Sequence, residues 1–248
     1  MDSVTQPGNS RIIDRAGPDE RLESVVGRHV QTSFEKPVQP HNRRAFDVLQ
    51  KHLEQNHHGE ALVLDAGCGT GVSCLRLARR HPDAVIIGID KSIGRLGRGA
   101  RMNADDVFYA QERVAWIRAD LIDFWRLAAA AGLRFARQYL LYPNPWPKRA
   151  HLQRRWHGHP VFPSIVKASP ILTLRTNWET YAIEFVQALS MLGIECETRA
   201  VVGEELTPFE AKYRASGHTL LEVFAVNHRV PAEGASEVSA ESDRDSRF

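Results

Sequence analysis

The chain of 248 residues lacks the features that define several classes of protein. It contains no run of about 18 apolar residues and no apolar stretch behind its first residues, so neither a membrane span nor a secretory signal is predicted. The three cysteines, Cys68, Cys74 and Cys196, are too few and odd in number for a disulfide framework. They favour reduced thiols in a cytoplasmic protein. Hydrophobic residues at 43% and charged residues at 25% are typical of a globular chain.

Acidic residues are missing from one long internal stretch. Between Phe124 and Trp178 there is no Asp or Glu, whereas nine Lys and Arg residues occur there. The formal net charge of the whole chain is only +2, so the positive charge is segregated. Such segregation indicates a surface for a polyanion such as a nucleic acid. The alternative is a solvated basic face that acids elsewhere in the fold compensate.

Both ends of the chain lack apolar periodicity. Residues 1–20 and 231–248 are rich in small, polar and charged residues, and they cannot bury enough apolar surface to offset the entropy of ordering. We therefore expect two disordered tails. Residues 21–230 show no repeat and no low-complexity linker, which predicts a single domain between the tails.

Apolar strand-like runs alternate with helix-like segments along this domain. The runs cover residues 61–66, 85–90, 114–117, 138–142, 171–174 and 220–226, and helical patterns cover 73–80, 95–111 and 178–192. Nearly continuous apolar strands are typical of a sheet that helices cover on both faces. The alternation predicts a doubly wound, mostly parallel α/β fold, in which ligands bind at the carboxyl ends of the strands.

A glycine-rich loop follows the first predicted strand. Gly67 and Gly69 belong to a G-x-G-x-G sequence, and glycines let the backbone turn sharply and approach a ligand. Val72 stands where the dinucleotide fingerprint G-x-G-x-x-G/A requires Gly or Ala, which counts against a nicotinamide cofactor. By itself the loop is also compatible with an ordinary strand-to-helix turn.

Three acids, Asp65, Asp90 and Asp120, lie at the ends of the first three runs. Any one of them could be a helix N-cap, but together they resemble the S-adenosylmethionine pocket of class I methyltransferases. In that pocket acids hold the ribose, the adenine and the methionine amine. The resemblance implies a seven-stranded Rossmann-like sheet and S-adenosylmethionine as the cofactor. The residues expected to hold it are Asp65, Gly67, Gly69, Asp90 and Asp120.

The fourth run leads into Asn144, which two prolines flank and push toward an extended conformation. A rigid polar side chain here suits the task of holding a substrate ring in line with a methyl group; the alternative is a structural turn. The following segment, residues 148–157, carries four positive charges, no acid and several aromatic rings. We expect Lys148, Arg154 and Arg155 to bind phosphates. The histidines of this segment match no zinc pattern, so no metal site is predicted.

The sequence Y-P-N-P-W-P-K…R-R over residues 142–155 resembles the P-D-P-W-x-K…R-R signature of the bacterial tRNA (guanine-N7-)-methyltransferases. Residues 175–182, 207–210 and 214–218 are similar to the family's T-D-W-x-x-Y-A, T-x-F-E and R-x-x-G-H blocks, in the same order. The resemblance covers about residues 60–226. It implies methylation of guanine N7 in tRNA, at a variable-loop guanosine. It also implies that Asn144 is the catalytic residue bordering the cofactor, and it places substrate contacts at Lys148, Asn177, Thr207 and Glu210.

Two positions depart from the family pattern, because Asn144 and Asn177 stand where the family has Asp. Guanine N7 carries a lone pair and no proton, so its methylation needs no general base, and an Asn can still orient the ring. The Asn-Pro-aromatic sequence is also similar to the N-P-P-[FYW] element of methyltransferases that act on exocyclic amines.

Two alternatives to guanine N7 methylation therefore stay open. The first is a methyltransferase of the same fold that acts on another RNA site or on a small aromatic amine. The second is a non-catalytic RNA-binding relative. For guanine N7 methylation itself we expect tRNA as the partner, no membrane partner, and a monomer or a homodimer.

Overall fold

The computed structural model describes residues 17–100 and 102–231. In this part of the chain, eight strands form one sheet that helices cover on both faces. The strands are β1 (Ala61–Ala66), β2 (Ala84–Asp90), β3 (Phe108–Gln111), β4 (Val114–Arg118), β5 (Arg137–Leu141), β6 (Ile171–Thr176), β7 (Glu195–Ala200) and β8 (Leu221–Val226). The α-helices are α1 (Leu22–Gln31), α2 (Pro40–Asn56), α3 (Val72–Arg80), α4 (Ile93–Gly99), α5 (Leu121–Ala130), α6 (Phe162–Lys167), α7 (Glu179–Met191) and α8 (Pro208–Ala215). Two short 3-10 helices, Arg149–Arg154 and Trp156–Gly158, follow β5.

The strands lie in the order β3-β4-β2-β1-β5-β6-β8-β7. All pairs from β4 to β6 are parallel, whereas β3 pairs antiparallel with β4, and β8 pairs antiparallel with both β6 and β7. The predicted doubly wound, mostly parallel α/β sheet is confirmed, with eight strands in place of seven. Because the chain passes from β1 first toward β2 and later back to β5 on the other side, the sheet has its topological switch point at β1 and β5.

The predicted helix over residues 95–111 is wrong in its second half. Helix α4 ends at Gly99, and residues 108–111 form the edge strand β3. Three glycines in and around α4 (Gly94, Gly97 and Gly99) weaken its helical propensity. A two-residue connection then returns the chain into β4, with Glu112 in the left-handed region at φ 53°.

The core lies on both sides of the central strands. Every residue of β2 is buried, since helices cover both of its faces. On one face, α2, α5 and α7 contribute large side chains such as Phe46, Trp125 and Phe185. On the other face, α3 and α4 contribute Leu77 and Leu96. These two layers fix the carboxyl ends of β1, β2, β4 and β5 relative to one another.

The predicted tails fall largely at positions 1–16 and 232–248, which lie outside the described residues. Residues 17–20 are described, and Asp19 is buried. Its backbone N–H donates to Oε1 of Glu184 at 2.9 Å, and hydrogen bonds from Arg21 lower the pKa of its carboxyl. The packed part of the chain thus begins before residue 21. No helix in the described ranges is long and apolar enough to cross a membrane.

Candidate active site

A cavity of about 560 Å³ opens at the carboxyl ends of the parallel strands. Its volume lies in the range of small-molecule sites. Four strand ends contribute to its wall: Gly67 follows β1, Asp90 ends β2, Asp120 follows β4, and Asn144 follows β5. The structure therefore brings together residues that lie far apart in the sequence. Their positions after predicted strands had indicated them as site residues.

The glycine loop forms the floor beside β1. The N–H groups of Gly67 and Cys68 both donate to the carbonyl of Ile89, which ties the loop to β2. Gly67, Gly69 and Gly71 have positive φ values of 86°, 61° and 79°. This left-handed backbone favours glycine because a β-carbon would be strained there. At Gly69 the place of a β-carbon is open space, so the backbone stays accessible to a ligand.

Asp90 anchors the loop from the side of β2. Its Oδ2 accepts from the N–H of Gly69 at 3.1 Å, and its Oδ1 accepts from the N–H of Ser92 at 2.8 Å. Arg95 also reaches Oδ1 at 2.8 Å. A carboxylate accepts about four hydrogen bonds, so ribose hydroxyls could use the remaining capacity or displace the Arg95 guanidinium.

Asp120 caps α5 and borders the same cavity. Its Oδ1 accepts from the N–H of Ile122 at 2.9 Å, which satisfies one free donor of the first helical turn. Its Oδ2 lies 4.0 Å from Nζ of Lys91. Asp120 is both an N-cap and part of the cavity wall. A capping role and a place in the pocket are therefore compatible.

Asp65 is buried beneath the glycine loop and does not line the cavity. Its Oδ2 accepts from Oγ of Ser73 at 2.5 Å and from Sγ of Cys74 at 3.2 Å. Its Oδ1 has no hydrogen-bond partner among the described residues. Burial raises the pKa of Asp65 to about 6, although the two hydrogen bonds act in the opposite direction. A buried carboxylate with an unused oxygen is suited to a cationic partner, such as the amino group of a cofactor.

Asn144 lines the same cavity and follows β5, the strand that pairs with β1. Its Oδ1 accepts from the N–H of Trp146 at 3.2 Å, which closes a short turn. Its NH₂ group has no partner within the described part of the chain. Trp146 has φ 47°, and its ring lies 4.7 Å from the guanidinium carbon of Arg154 and 5.4 Å from the ring of His151. The side chain of Asn144 is therefore held by its own loop.

The predicted phosphate-binding residues divide into exposed and buried members. Lys148 and Arg154 are exposed, as a phosphate contact requires, and Arg154 lines the cavity. Arg155 is buried, and its Nη1 pairs with both carboxylate oxygens of Glu184 at 2.5 Å. The basic pattern of the sequence does not reveal this partner, which is 29 positions away. The guanidinium of Arg155 is thus unavailable to a phosphate.

Asn177, Thr207 and Glu210 gather at the end of β6. Nδ2 of Asn177 lies 3.3 Å from Nδ1 of His218. Thr207 is the N-cap of α8 and accepts from the N–H of Glu210 at 3.3 Å. Glu210 is fully buried, and its carboxylate accepts from Arg175 and from the N–H of Leu206. Glu210 therefore fixes α8 and does not face a substrate.

An aromatic contact links this second group to the cavity. Tyr142, on the cavity wall, lies 5.7 Å from the ring of Tyr213, and Tyr213 lies 5.4 Å from His218, the neighbour of Asn177. Phe209 stacks on Tyr213 and is exposed. The sequence motifs include Tyr142 and Phe209, but only the fold shows that they form one surface.

His159 is a cavity residue that sequence reasoning did not select for this role. Burial lowers its pKa to about 4, and the positive charges of His29 and Lys36 contribute in the same direction. Its Nδ1 accepts from the N–H of Val161, so Nε2 carries the proton of the neutral ring. Among the described residues no group of three or more His, Cys, Asp or Glu side chains could hold a metal ion.

The residues of the cavity fit S-adenosylmethionine. Carboxylates at the ends of β2 and β4 suit hydroxyl and amine donors, and the loop is open at Gly69. Leu121 and Ile122 offer apolar surface to an adenine ring. The doubly wound sheet and this donor set at its switch point define a class I methyltransferase.

Comparison with known proteins defines the family. A family model described as "Putative methyltransferase" matches residues 59–223. A tRNA (guanine-N(7)-)-methyltransferase of Leifsonia xyli subsp. xyli is 29% identical over 183 residues, covering 65% of this chain and 74% of the relative. Its counterpart from Shewanella piezotolerans is 30% identical over 169 residues, covering 63% of this chain and 68% of the relative. The chain belongs to this methyltransferase family, whose cofactor is S-adenosylmethionine.

A solved structure supports the fold independently. The crystal structure of the 16S rRNA methyltransferase KamB matches with a TM-score of 0.50, covering 73% of this chain and 94% of that chain. At 15% sequence identity this similarity bears on the fold alone.

Proposed function

We propose that this chain is a cytoplasmic enzyme that transfers the methyl group of S-adenosylmethionine to N7 of a guanosine in tRNA, at a variable-loop position. The observation that carries the proposal is the location of Asn144. It lines the same cavity as the strand ends expected to hold the cofactor and as Arg154, and the exposed Lys148 follows it four positions later in the chain. The names of the relatives support the substrate, and the acid-free stretch supports a polyanionic partner.

The chemistry suits a site without a general base. S-adenosylmethionine supplies a methyl group on a positively charged sulfur. N7 forms the new N–C bond with its own lone pair as the S–C bond breaks, and the positive charge passes to the guanine ring without transfer of a proton at N7. The site must hold the base in line with the methyl group and exclude water. Asn144, whose oxygen is tied to Trp146, is a rigid group for this purpose.

The residues divide this work by position. Asp90, Asp120, Gly67 and Gly69 would hold the cofactor directly, and Asp65, which is buried beneath the glycine loop, would act on it from behind that loop. Asn144 would orient the base, Lys148 and Arg154 would bind phosphates at the mouth, and Asn177 with Thr207 would border the guanosine. Arg155 and Glu210 support the loops from the interior.

The test compares two tRNA transcripts. One contains guanosine and the other contains 7-deazaguanosine, which has a carbon in place of N7. Labelled methyl transfer to the first and none to the second is expected. Transfer to both would move the target to another atom and favour the alternative methyltransferase. Transfer to neither, with cofactor binding intact, would favour a small-molecule enzyme or a non-catalytic RNA-binding relative.

A further inference from the structure

A buried charge cluster lies directly behind the loop that carries Asn144. Glu184, on α7, is fully buried. Its Oε2 lies 2.8 Å from Nε2 of His157, and its Oε1 accepts from the N–H of Asp19 at 2.9 Å. Arg155 donates from Nη1 to both oxygens. The cluster joins α7, the 3-10 segment after β5 and the chain before α1.

The protonation states are consistent with an ion pair between Glu184 and Arg155. Burial acts to raise the pKa of Glu184, but hydrogen bonds from His157 and Arg155 outweigh it and lower the pKa. Burial lowers the pKa of His157, whose Nδ1 has no partner among the described residues. A neutral ring with its proton on Nε2 therefore donates to the carboxylate.

Arg155 has a second use that a simple buried ion pair does not require. Its Nε and Nη2 donate to the carbonyl oxygen of Trp146 at 3.3 and 3.2 Å. The planar guanidinium thus holds a carboxylate with one nitrogen and a backbone carbonyl with the other two. Its carbon also lies 4.8 Å from the ring of Trp178.

Trp146 is the residue that needs such support. Its φ of 47° is in the left-handed region, which is strained for a tryptophan and persists only where the surroundings fix it. Its N–H donates to Oδ1 of Asn144. Arg155 therefore fixes Trp146 at its carbonyl oxygen, and Trp146 in turn holds the side chain of Asn144 through its N–H.

We infer that Glu184 is a positioning residue: through Arg155 it holds the carbonyl of Trp146, and thereby the turn that presents Asn144 to the substrate. The inference rests on the proposed function for its kinetic consequence. It assigns Glu184 and Arg155 no contact with cofactor or tRNA.

The kinetic test is a double-mutant cycle between Arg155→Lys and Asn144→Ala. Lysine retains a positive charge for Glu184 but lacks the fork that also reaches the carbonyl. The single-turnover rate of Arg155→Lys should fall about tenfold, with the Kd for S-adenosylmethionine within about twofold of wild type. In the Asn144→Ala background the same change should alter the rate by less than about twofold. An equal loss in both backgrounds would overturn the inference.

A matched substitution controls for the loss of an arginine. Arg126 pairs with Asp123 at 3.6 Å and lies over the ring of Phe34 at 5.1 Å, away from the cavity wall. Arg126→Lys should leave the rate of transfer unchanged. If Arg155→Lys fails to fold, Glu184→Gln, which keeps the shape of the side chain, enters the same cycle.

A structural readout separates this inference from the proposed function. In protein labelled with ¹⁵N at asparagine, the side-chain NH₂ signals of Asn144 are identified by their loss in Asn144→Ala. Arg155→Lys should shift or broaden these signals and leave those of Asn56 unchanged, since Asn56 is the last residue of α2 and donates to the carbonyl of His52. Unaltered Asn144 signals would overturn the positioning role, whether or not the wild type methylates tRNA. An inactive wild type with the expected signal change would count against the proposed function alone.

Discussion

At the scale of single residues, the buried carboxyl of Asp65 carries a cost in stability. It is fully buried, and one oxygen lacks a partner among the described residues. Because its folded pKa of about 6 exceeds the unfolded value of 3.8, the folded state binds more protons between these values, and stability falls as pH rises through this window. At neutral pH the cost is up to roughly 3 kcal/mol. A cationic ligand group would relieve it.

Asp65→Asn should therefore stabilise the cofactor-free protein. We expect a free energy of unfolding higher by roughly 1–3 kcal/mol at about pH 7.5, with a smaller difference at about pH 5, where the wild-type carboxyl is largely protonated. Denaturant unfolding at both pH values measures it. Asp47→Asn, at an exposed position of α2, is the control and should have little effect at either pH. A pH-independent difference would contradict the assigned cause.

Asn144 should set the rate of transfer without being essential to the fold. Asn144→Ala removes the bond to Trp146 and the group that we propose orients the base, and the single-turnover rate of transfer should fall about tenfold. Asn144→Asp should raise this rate several-fold, because a carboxylate stabilises the positive charge that the ring gains. Single-turnover assays with saturating cofactor rank the three proteins. The order Ala above Asn would contradict the role of this residue.

At the scale of secondary-structure elements, the glycine loop and the start of α3 depend on two different constraints. Gly69 and Gly71 both have positive φ, but only at Gly71 would a β-carbon collide with its surroundings, 2.3 Å from Nε1 of Trp116. Gly69→Ala should cost roughly 1–2 kcal/mol of stability. Gly71→Ala should cost roughly 1–3 kcal/mol more, because the indole must move. Thermal unfolding of the two variants compares them, and equal losses would refute the collision.

The elements differ in how clearly the sequence predicts them. β1 and β2 are buried on both faces, so their apolar runs are unmistakable. β7 is mostly exposed, with charged side chains such as Glu195 and Arg199, and the apolar pattern does not reveal it. β3 is a four-residue edge strand whose pairing with β4 comes from the hairpin.

Site residues likewise divide into those that the local sequence pattern reveals and those that depend on distant partners. Asp90, Asp120 and Asn144 are predictable because a parallel sheet brings its strand ends to one edge. The environments of Arg155 and Glu210 are not, because their partners Glu184 and Arg175 lie far away in sequence. A pattern of charge cannot distinguish an exposed arginine from one that is paired in the interior.

At the scale of the whole molecule, the distribution of charge predicts how tRNA binds. Lys148 is exposed within a stretch that contains no acid. Lys148→Ala should weaken tRNA binding and reduce the slope of log Kd against log salt by about one, because one phosphate contact is lost. Binding titrations at several salt concentrations measure the slope. Lys51→Ala, at an exposed position on α2 outside the acid-free stretch, is the matched control and should leave the slope unchanged.

The methylated nucleoside in the product identifies the reaction. It is measured by methyl transfer from labelled S-adenosylmethionine to bulk tRNA from cells that lack guanine N7 methylation, followed by digestion and separation of the nucleosides. We predict that the label co-migrates with 7-methylguanosine. Label in any other nucleoside, or no label from a protein that binds the cofactor, would contradict the proposed function.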